Sequence, residues 1–484
     1  MVAKAGTARD PSLDARGRPT PHASAREGVL HEQRLRLIAA MIDSVGEKGY
    51  RRTSVADVLT RAEVSRKAFY KHFPNKRECF LAAYDLISAH AIRRVERALR
   101  GAEGWPARAH AAIAALLEAA IENPGALRVA VIEIGALGAA GIERRERTAS
   151  AYERLVRDAV EISPGKGGIS DAAARAVVGG ISSVLHSRVP SGERSALLKL
   201  VPDLVNWAAS YHPTPPSLAR GLQSSRDAAG FSLLGGRAPG TLAPHARLDK
   251  KRRGLPRGAQ NVSHRFVAHS QCERILDAVA NLAADQGYAA LQVDDIADEA
   301  AVSLNAFYEQ FTDKEEAFLA AYELGHANCL AVVERAYASQ PDWREGVRAG
   351  ISALLHFLAA EPAFARIALV DSIAATARTA DRSNTGVSAY AKVLFPGLEI
   401  PENARPPAVV GEAVAGGVLE LCLHHIFQGR VRELPDLIGN ATFVVLAPFI
   451  GAKEAERVAN APAASSAPPR ASPRRGSSAA ARRS

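Results

Sequence analysis

Ser65-Arg66-Lys67-Ala68-Phe69-Tyr70-Lys71-His72-Phe73 returns 238 residues later as Ser303-Leu304-Asn305-Ala306-Phe307-Tyr308-Glu309-Gln310-Phe311. Outward from this pair, without a gap, Gly49, Tyr50, Val55, Asp57, Ala62, Val64, Lys76 and Phe80 recur as Gly287, Tyr288, Val293, Asp295, Ala300, Val302, Lys314 and Phe318. The same offset joins Trp105 to Trp343, Pro124 to Pro362 and Tyr152 to Tyr390, so the duplication runs well beyond the motif. In the first copy Ser54 is placed to cap a short helix with Asp57 in the capping-box position, and Val55, Val58 and Leu59 supply its inward face. Ala62-Glu63-Val64 makes a three-residue turn, and Ser65 caps a second helix that runs to Phe73. This is helix-turn-helix spacing, in which the second helix enters the DNA major groove and its first turn meets base edges.

The rest of each copy is also patterned as helix, and no period-two strand run stands out. Leu37, Ile38, Met41, Ile42 and Val45 form one apolar stripe, which Ile275, Leu276, Val279, Ala280 and Ala283 repeat. Gly49 and Gly287 follow these stripes, where a helix end needs a residue tolerant of a left-handed conformation. Ile113, Leu116, Leu117 and Ala120 likewise match Ile351, Leu354, Leu355 and Leu358. The fold class expected is all-α: two tandem units, each a helix-turn-helix headpiece followed by a larger helical body. The boundaries read as headpiece 31–84 and body 85–212, then headpiece 265–322 and body 323–452.

The scaffold is duplicated but the surface charge is not. Residues 51–77 carry a net charge of +6, whereas residues 289–315 carry −6. A duplex is a dense line of phosphate charge, so the first face gains free energy from counterion release and the second is repelled. Arg66 and Lys67 occupy the leading turn of the second helix, where Arg can pair bidentately with guanine and Lys can serve base or phosphate. Tyr70, Lys71, His72 and Lys76 lie further along, with groups suited to phosphate oxygens. In the second copy Leu304 and Asn305 replace Arg66 and Lys67, while Glu309 and Gln310 replace Lys71 and His72. Asn305 can still bond adenine, but Glu309, Asp294 and Asp298 stand close to where phosphates would lie. The second headpiece is expected to have lost DNA affinity.

The overall net charge of +10 is misleading, because residues 1–30, 213–264 and 453–484 contribute +2, +7 and +5 and leave the two copies slightly acidic. The two ends, rich in Ala, Pro, Ser, Gly and Arg, are expected to be disordered tails, and 213–264 a flexible basic linker ending near the run Lys250-Lys251-Arg252-Arg253. Cys79, Cys272, Cys329 and Cys422 show no paired spacing, which argues against a disulfide framework or zinc site and for a reducing cytoplasm. The N-terminus has no apolar leader, and no uninterrupted apolar stretch approaches the roughly 18 residues of a membrane span. No nucleophile–base pair, metal cluster or phosphate-binding glycine loop appears, so neither an enzyme nor a bound cofactor is expected.

These residues resemble the TetR (tetracycline-repressor-like) family of bacterial regulators. Its headpiece signature is matched by Ser54-Val55-Ala56-Asp57-Val58-Leu59 and by Ser65 through Lys76, and matched again in the second copy. The resemblance implies an operator-binding headpiece, a body holding a small-molecule effector, and dimerisation through the last two helices as a four-helix bundle. Carried onto this chain, it makes Arg51, Thr53, Ser65, Arg66, Lys67, Tyr70, Lys71, His72 and Lys76 the DNA-contacting set, with double-stranded DNA as partner. The function expected is a transcriptional regulator, a repressor released by a small ligand.

Several readings stay open at this level. The bundle helices fall near 171–210 and 407–450, where Gly179-Gly180 and Gly416-Gly417 allow close approach, and the copies pair either within one chain as a pseudo-dimer or between chains as a homodimer. The acidic headpiece is alternatively a protein-interaction module for a basic partner. Glu133 and Asp371, at matching positions in apolar runs, are candidates to line an effector pocket, although such carboxylates more often pair structurally. His424-His425 lacks further ligands at metal-binding spacing.

Overall fold

The computed structural model describes residues 21–161, 168–191, 194–215, 217–218, 264–371 and 407–461, and among these residues there is no strand. The first headpiece comprises α1 (Pro21–Lys48), α2 (Val55–Ala62) and α3 (Arg66–His72), and α4 (Lys76–Arg100) leads into the body. That body holds α5 (Trp105–Glu122), α6 (Pro124–Val131), α7 (Ala139–Glu161), α8 (Asp171–Ser191) and α9 (Val201–Ala209). The second unit repeats the order with α10 (His264–Gln286), α11 (Val293–Ala300), α12 (Leu304–Tyr308), α13 (Lys314–Ala338), α14 (Trp343–Ala360) and α15 (Pro362–Arg366). It closes with α16 (Ala408–Phe427), α17 (Ile438–Ile450) and α18 (Ala452–Ala459).

Two tail boundaries shift. Helix α1 begins at Pro21, inside the stretch read as a disordered tail, and α18 occupies the start of the other tail with Ala455 and Val458 fully buried. An inward face built from two alanines and one valine is easily lost in an Ala- and Pro-rich composition. The stretch read as linker also starts late, since Thr214 and Leu218 are buried against the body. The remainder of that linker, with Lys250–Arg253, lies outside the described residues.

Each headpiece has its own small core. Leu37, Ile38, Met41 and Val45 of α1 meet Phe69, Phe73 and Phe80, and Ile275, Val279 and Ala283 of α10 meet Phe307, Phe311 and Phe318. The bodies differ: their buried side chains form one continuous core to which both units contribute. Its centre is the crossing of α8 with α16. A Cβ on Gly179 would overlap the Glu420 side chain and lie 2.9 Å from the Gly416 carbonyl, while one on Gly416 would overlap Ser183. Similarly, a Cβ on Gly417 would lie 2.9 Å from the Ala176 carbonyl, and one on Gly180 would strike Trp207 and the Ala413 carbonyl. The glycine pairs therefore set the approach of the two backbones about a pseudo-twofold axis. Alongside, the Trp207 indole donates to the Tyr211 hydroxyl at 2.8 Å, and that hydroxyl donates to the Val444 carbonyl at 2.9 Å.

A buried ionic cluster breaks this pseudo-symmetry. Where the first unit has Ser183 the second has Glu420, which pairs with Arg145 and lies 3.6 Å from Arg175. Arg175 also reaches Glu146 at 2.9 Å and Glu153 at 2.6 Å, and Glu146 takes a hydrogen bond from His424 of the second unit at 2.6 Å. Burial pushes the Glu146 carboxyl up, but His424 and Arg175 more than offset it and hold it at about 2. Glu153 has burial and two neighbouring carboxylates against it, and is pushed up to about 7 despite Arg175.

Two segments, Ala408–Phe427 and Val431–Ile450, are long and apolar enough by length and composition to cross a membrane, each with mean hydropathy 1.3. Neither is an uninterrupted apolar run, since Glu412 and Glu420 break the first and Arg432, Glu433 and Asp436 the second. Most of both segments is buried inside the protein, 67% and 56% of the relevant windows, as befits central helices of a shared core.

Candidate nucleic-acid interface

The first headpiece forms as its local chemistry dictates. The Ser54 hydroxyl accepts the Asp57 N–H at 3.2 Å while the Asp57 carboxylate accepts the Ser54 N–H at 2.7 Å, closing the capping box that starts α2. Glu63 ends that helix in a left-handed conformation, φ 53° and ψ 43°, which turns the chain. The Ser65 hydroxyl then accepts the Ala68 N–H at 3.2 Å and starts α3. With Phe69 and Phe73 buried beneath it, α3 presents Ser65, Arg66, Lys67, Tyr70 and Lys71 to solvent. Among the described residues Arg66, Lys67 and Lys71 have no carboxylate at ion-pair distance, in contrast to Arg61, which Glu47 holds at 2.6 Å, and Lys48, which Asp57 holds at 2.7 Å.

The remaining candidates lie elsewhere. Thr53 is buried, with its hydroxyl donating to the Gly49 carbonyl at 2.8 Å and the Ser44 carbonyl at 3.2 Å. Lys76 turns inward: its ammonium donates to the Tyr50 carbonyl at 3.0 Å and the Thr53 carbonyl at 2.9 Å, and sits 4.1 Å from the Tyr50 ring centroid. Burial lowers the pKa of Lys76, as expected for a clamp. His72 is partly buried, its Nε2 has no hydrogen-bond partner among the described residues, and burial followed by the charges of Arg34 and Lys71 keeps it neutral. Arg51 is exposed, and its positive charge is felt by Tyr288 of the second headpiece. Hydroxyl and ammonium groups that looked suited to phosphate thus divide into an outward set and an inward set.

Of the inward set the second headpiece keeps the lysine, with Leu291 in place of Thr53 and Gln310 in place of His72. Lys314 donates to the Leu291 carbonyl at 2.7 Å and lies 5.1 Å from the Tyr288 ring, and the Phe307–Phe311 centroids are 5.8 Å apart, as are those of Phe69 and Phe73. Its outward cations are gone, while Ser303 and Tyr308 remain exposed. Helix α12 spans five residues where α3 spans seven, and α11 starts from Gln292 without a side-chain cap. Asp294, Asp295, Asp298 and Glu309 are exposed around Leu304 and Tyr308, themselves 42% and 56% exposed.

The family model for bacterial regulatory proteins of the tetR family matches residues 37–83 and again residues 275–321. Both headpieces therefore match the DNA-binding segment of the tetR family. Among individual proteins, the nucleoid occlusion factor SlmA of Pasteurella multocida is 30% identical over 98 residues, 20% of this chain and 48% of SlmA. The HTH-type transcriptional activator FasR of Mycolicibacterium smegmatis is 31% identical over 110 residues, 22% of this chain and 50% of FasR. The chain thus spans about half the length of the curated relatives it matches. A solved structure of the transcriptional regulator FadR from Bacillus subtilis, in complex with stearoyl-CoA, aligns with TM-score 0.33 and 14% identity, covering 36% of this chain and 96% of FadR.

The match covers the DNA-binding headpieces and supports DNA binding there. Of the two carboxylates read as pocket candidates, Glu133 stands outside the cavity lining. It accepts the Tyr50 N–H at 2.9 Å and the Arg128 guanidinium at 2.9 Å, tying the start of the first helix-turn-helix to the turn after α6. Nearby, α1 and α6 touch through glycines, since a Cβ on Gly46 would lie 2.7 Å from the Gly125 Cα. Nothing in the apolar run around Glu133 signalled this role; only the 83-residue separation from Tyr50, closed by folding, reveals it. The Asp371 side chain lies outside the described residues. His425 is buried with Nδ1 at 3.2 Å from the Leu421 carbonyl, and among the described residues no group of three or more His, Cys, Asp or Glu is arranged to hold a metal.

A cavity of about 1260 Å³ lies in the first body between α4, α5, α6, α7 and α8. Leu127, Val131 and Ile134 in its wall belong to the same segment as Arg128 and Glu133, which hold the headpiece. No sequence pattern announced it, because a cavity is where side chains stop.

Proposed function

We propose that the chain is a ligand-responsive repressor that reads its operator with the first headpiece alone. One observation carries the reading: Arg66, Lys67 and Lys71 stand exposed and without carboxylate partners among the described residues, on a helix whose duplicate carries Leu304, Asn305 and Glu309. In this reading Arg66 pairs with guanine in the major groove, Lys67 meets base or phosphate, and Ser65, Tyr70, Lys71 and Arg51 meet the backbone. Thr53, His72 and Lys76 act indirectly, by holding the loop and helix in place. Supporting the sense of regulation, an effector pressing on Leu127, Val131 and Ile134 would move Arg128 and Glu133, and with them the Tyr50 backbone that Lys76 also grips. Filling the cavity then tilts the headpiece and releases DNA.

The crossing of α8 with α16 supports the pseudo-dimer over the homodimer, since the surface that would join two chains is occupied within one. One reader per chain suits an asymmetric or half-length operator, bound where the nucleoid lies, in the cytoplasm. The acidic headpiece is then free for other contacts; exposed Leu304 and Tyr308 among four carboxylates suit a basic protein surface.

Binding to genomic operator fragments, measured by fluorescence anisotropy, tests the reading. Arg66→Ala with Lys67→Ala abolishes specific binding, whereas Leu304→Ala with Asn305→Ala changes affinity less than about twofold. Equal losses from the two pairs would mean that both headpieces read DNA.

A further inference from the structure

The cavity in the first body is not closed by that body alone. Gly411, Ala415, Leu419, Leu423 and Phe427 of α16, each four residues from the next, complete its wall. Helix α16 belongs to the second unit. The second unit has therefore become part of the first unit's chamber, and the ligand-responsive reading above acquires a site built from both.

The charges in that chamber identify what it takes. Its lining includes five charged side chains: Arg108, Arg145 and Arg188 from the first unit, Glu412 and Glu420 from the second. Arg145 pairs with Glu420, and Arg188 lies 3.1 Å from Glu412. Arg108 has no carboxylate at ion-pair distance among the described residues; its Nε donates to the Ala102 carbonyl at 3.0 Å and Nη1 to the Ala159 carbonyl at 3.5 Å. Two carbonyls orient the guanidinium without neutralising it. A cation left unneutralised beside an apolar chamber is best satisfied by an anion that arrives with the ligand, and a planar guanidinium suits a carboxylate or a similar oxyanion. His186 adds no second charge, because burial holds it neutral. The rest of the wall is mainly alanine, leucine, isoleucine and valine, and 1260 Å³ exceeds the usual volume of a drug-sized pocket, which favours a long ligand.

We propose that this chamber binds one amphiphile per chain, with a single anionic head at Arg108 and a linear apolar chain laid against α16. The proposal rests on the ligand-responsive reading for its biological meaning but not for its test. The full-length protein, without DNA, is loaded with the neutral fluorescent probe N-phenyl-1-naphthylamine, which is then displaced by dodecanoate or by dodecanol. Dodecanoate displaces the probe at a concentration at least tenfold below that of dodecanol. Arg108→Gln removes this preference and leaves dodecanol unchanged. Leu419→Trp, which fills the α16 side of the chamber, abolishes probe uptake, and thermal melting confirms that the variant is folded. Leu419→Ala, which enlarges the chamber, shifts the preferred alkyl carboxylate to a longer chain.

Equal displacement by the two compounds, or a preference that survives Arg108→Gln, overturns the assignment of the head. Probe uptake and chain-length preference unchanged in both Leu419 variants overturn the role of α16. Failure of the probe to bind at all overturns the site. Dodecanoate that binds as described yet leaves operator affinity untouched supports the site while removing the proposed release mechanism.

Discussion

The second headpiece has shed nearly every cation of the first, yet it keeps one, Lys314, at the position of Lys76. Both ammonium groups do the same work, donating to loop carbonyls at 2.7–3.0 Å over a tyrosine ring. Positions that face outward follow a different history: Arg66, Lys67 and Lys71 have become Leu304, Asn305 and Glu309. The duplication thus acts as an internal control. The ammonium that survives in a copy stripped of its basic surface is there for the scaffold, and the cations lost from α3 belonged to the surface.

The most drastic way to break the contrast is to make the first surface like the second. Arg66→Leu, Lys67→Asn and Lys71→Glu together lower operator affinity by about a thousandfold or more, at roughly 1–3 kcal/mol per lost base contact plus phosphate repulsion. The melting temperature stays within a degree or two; a large drop would show that these cations also support the fold. Next comes the inward lysine. Lys76→Met and Lys314→Met each destabilise their own headpiece by about 2 kcal/mol, because loop carbonyls lose a charged donor. Urea unfolding followed by amide exchange in each headpiece checks this, and a lysine that could be removed from either copy without loss would end its role as a clamp.

The bodies offer a pH test of the same asymmetry. Glu153 is raised from an ordinary value of 4.5 to about 7, so between these pH values the folded chain keeps a proton that the unfolded chain releases. Stability contributed by this group is present below the lower value and is lost as pH rises through about 7. Glu153→Gln should remove that decline, making the variant more stable relative to the parent at pH 8 than at pH 5 by on the order of 1.5 kcal/mol. Parallel stability curves for parent and variant would assign the buried proton elsewhere. A smaller effect concerns phosphate contact: Lys71→Ala reduces the slope of log affinity against log salt by about one, while Glu309→Ala leaves it unchanged. Smallest of all, Glu63→Gly and Ala301→Gly relieve left-handed turns at φ 53° and 51° and stabilise the respective headpieces by up to about 1 kcal/mol. Loss of stability at either would show that the side chain matters more than its strain.

Much of this fold was legible because its signals are local. The stripe from Leu37 to Val45, the Ser54–Asp57 box and the Ser65 cap each state a requirement that nearby residues satisfy, and the glycine pairs near 179 and 416 mark a close approach without naming its partner. The outward part of the DNA surface was legible for the same reason, as charge on a short helix. Misreading began where residue type does not determine direction: a threonine hydroxyl and a lysine ammonium serve a carbonyl as readily as a phosphate, and only the persistence of Lys314 hinted at which. Contacts between residues far apart in sequence were beyond reach. Glu420 meets Arg145 across 275 positions and Glu133 meets Tyr50 across 83, and neither sequence neighbourhood marks the partner.

The single core shared by the two bodies also changes how occupancy responds to dosage. Regulators that must first find a second copy of themselves assemble in proportion to the square of their concentration, and dilution takes them apart. Under the pseudo-dimer proposed above, assembly is a folding event within one molecule, and operator occupancy at low copy number climbs linearly with the number of chains in the cell.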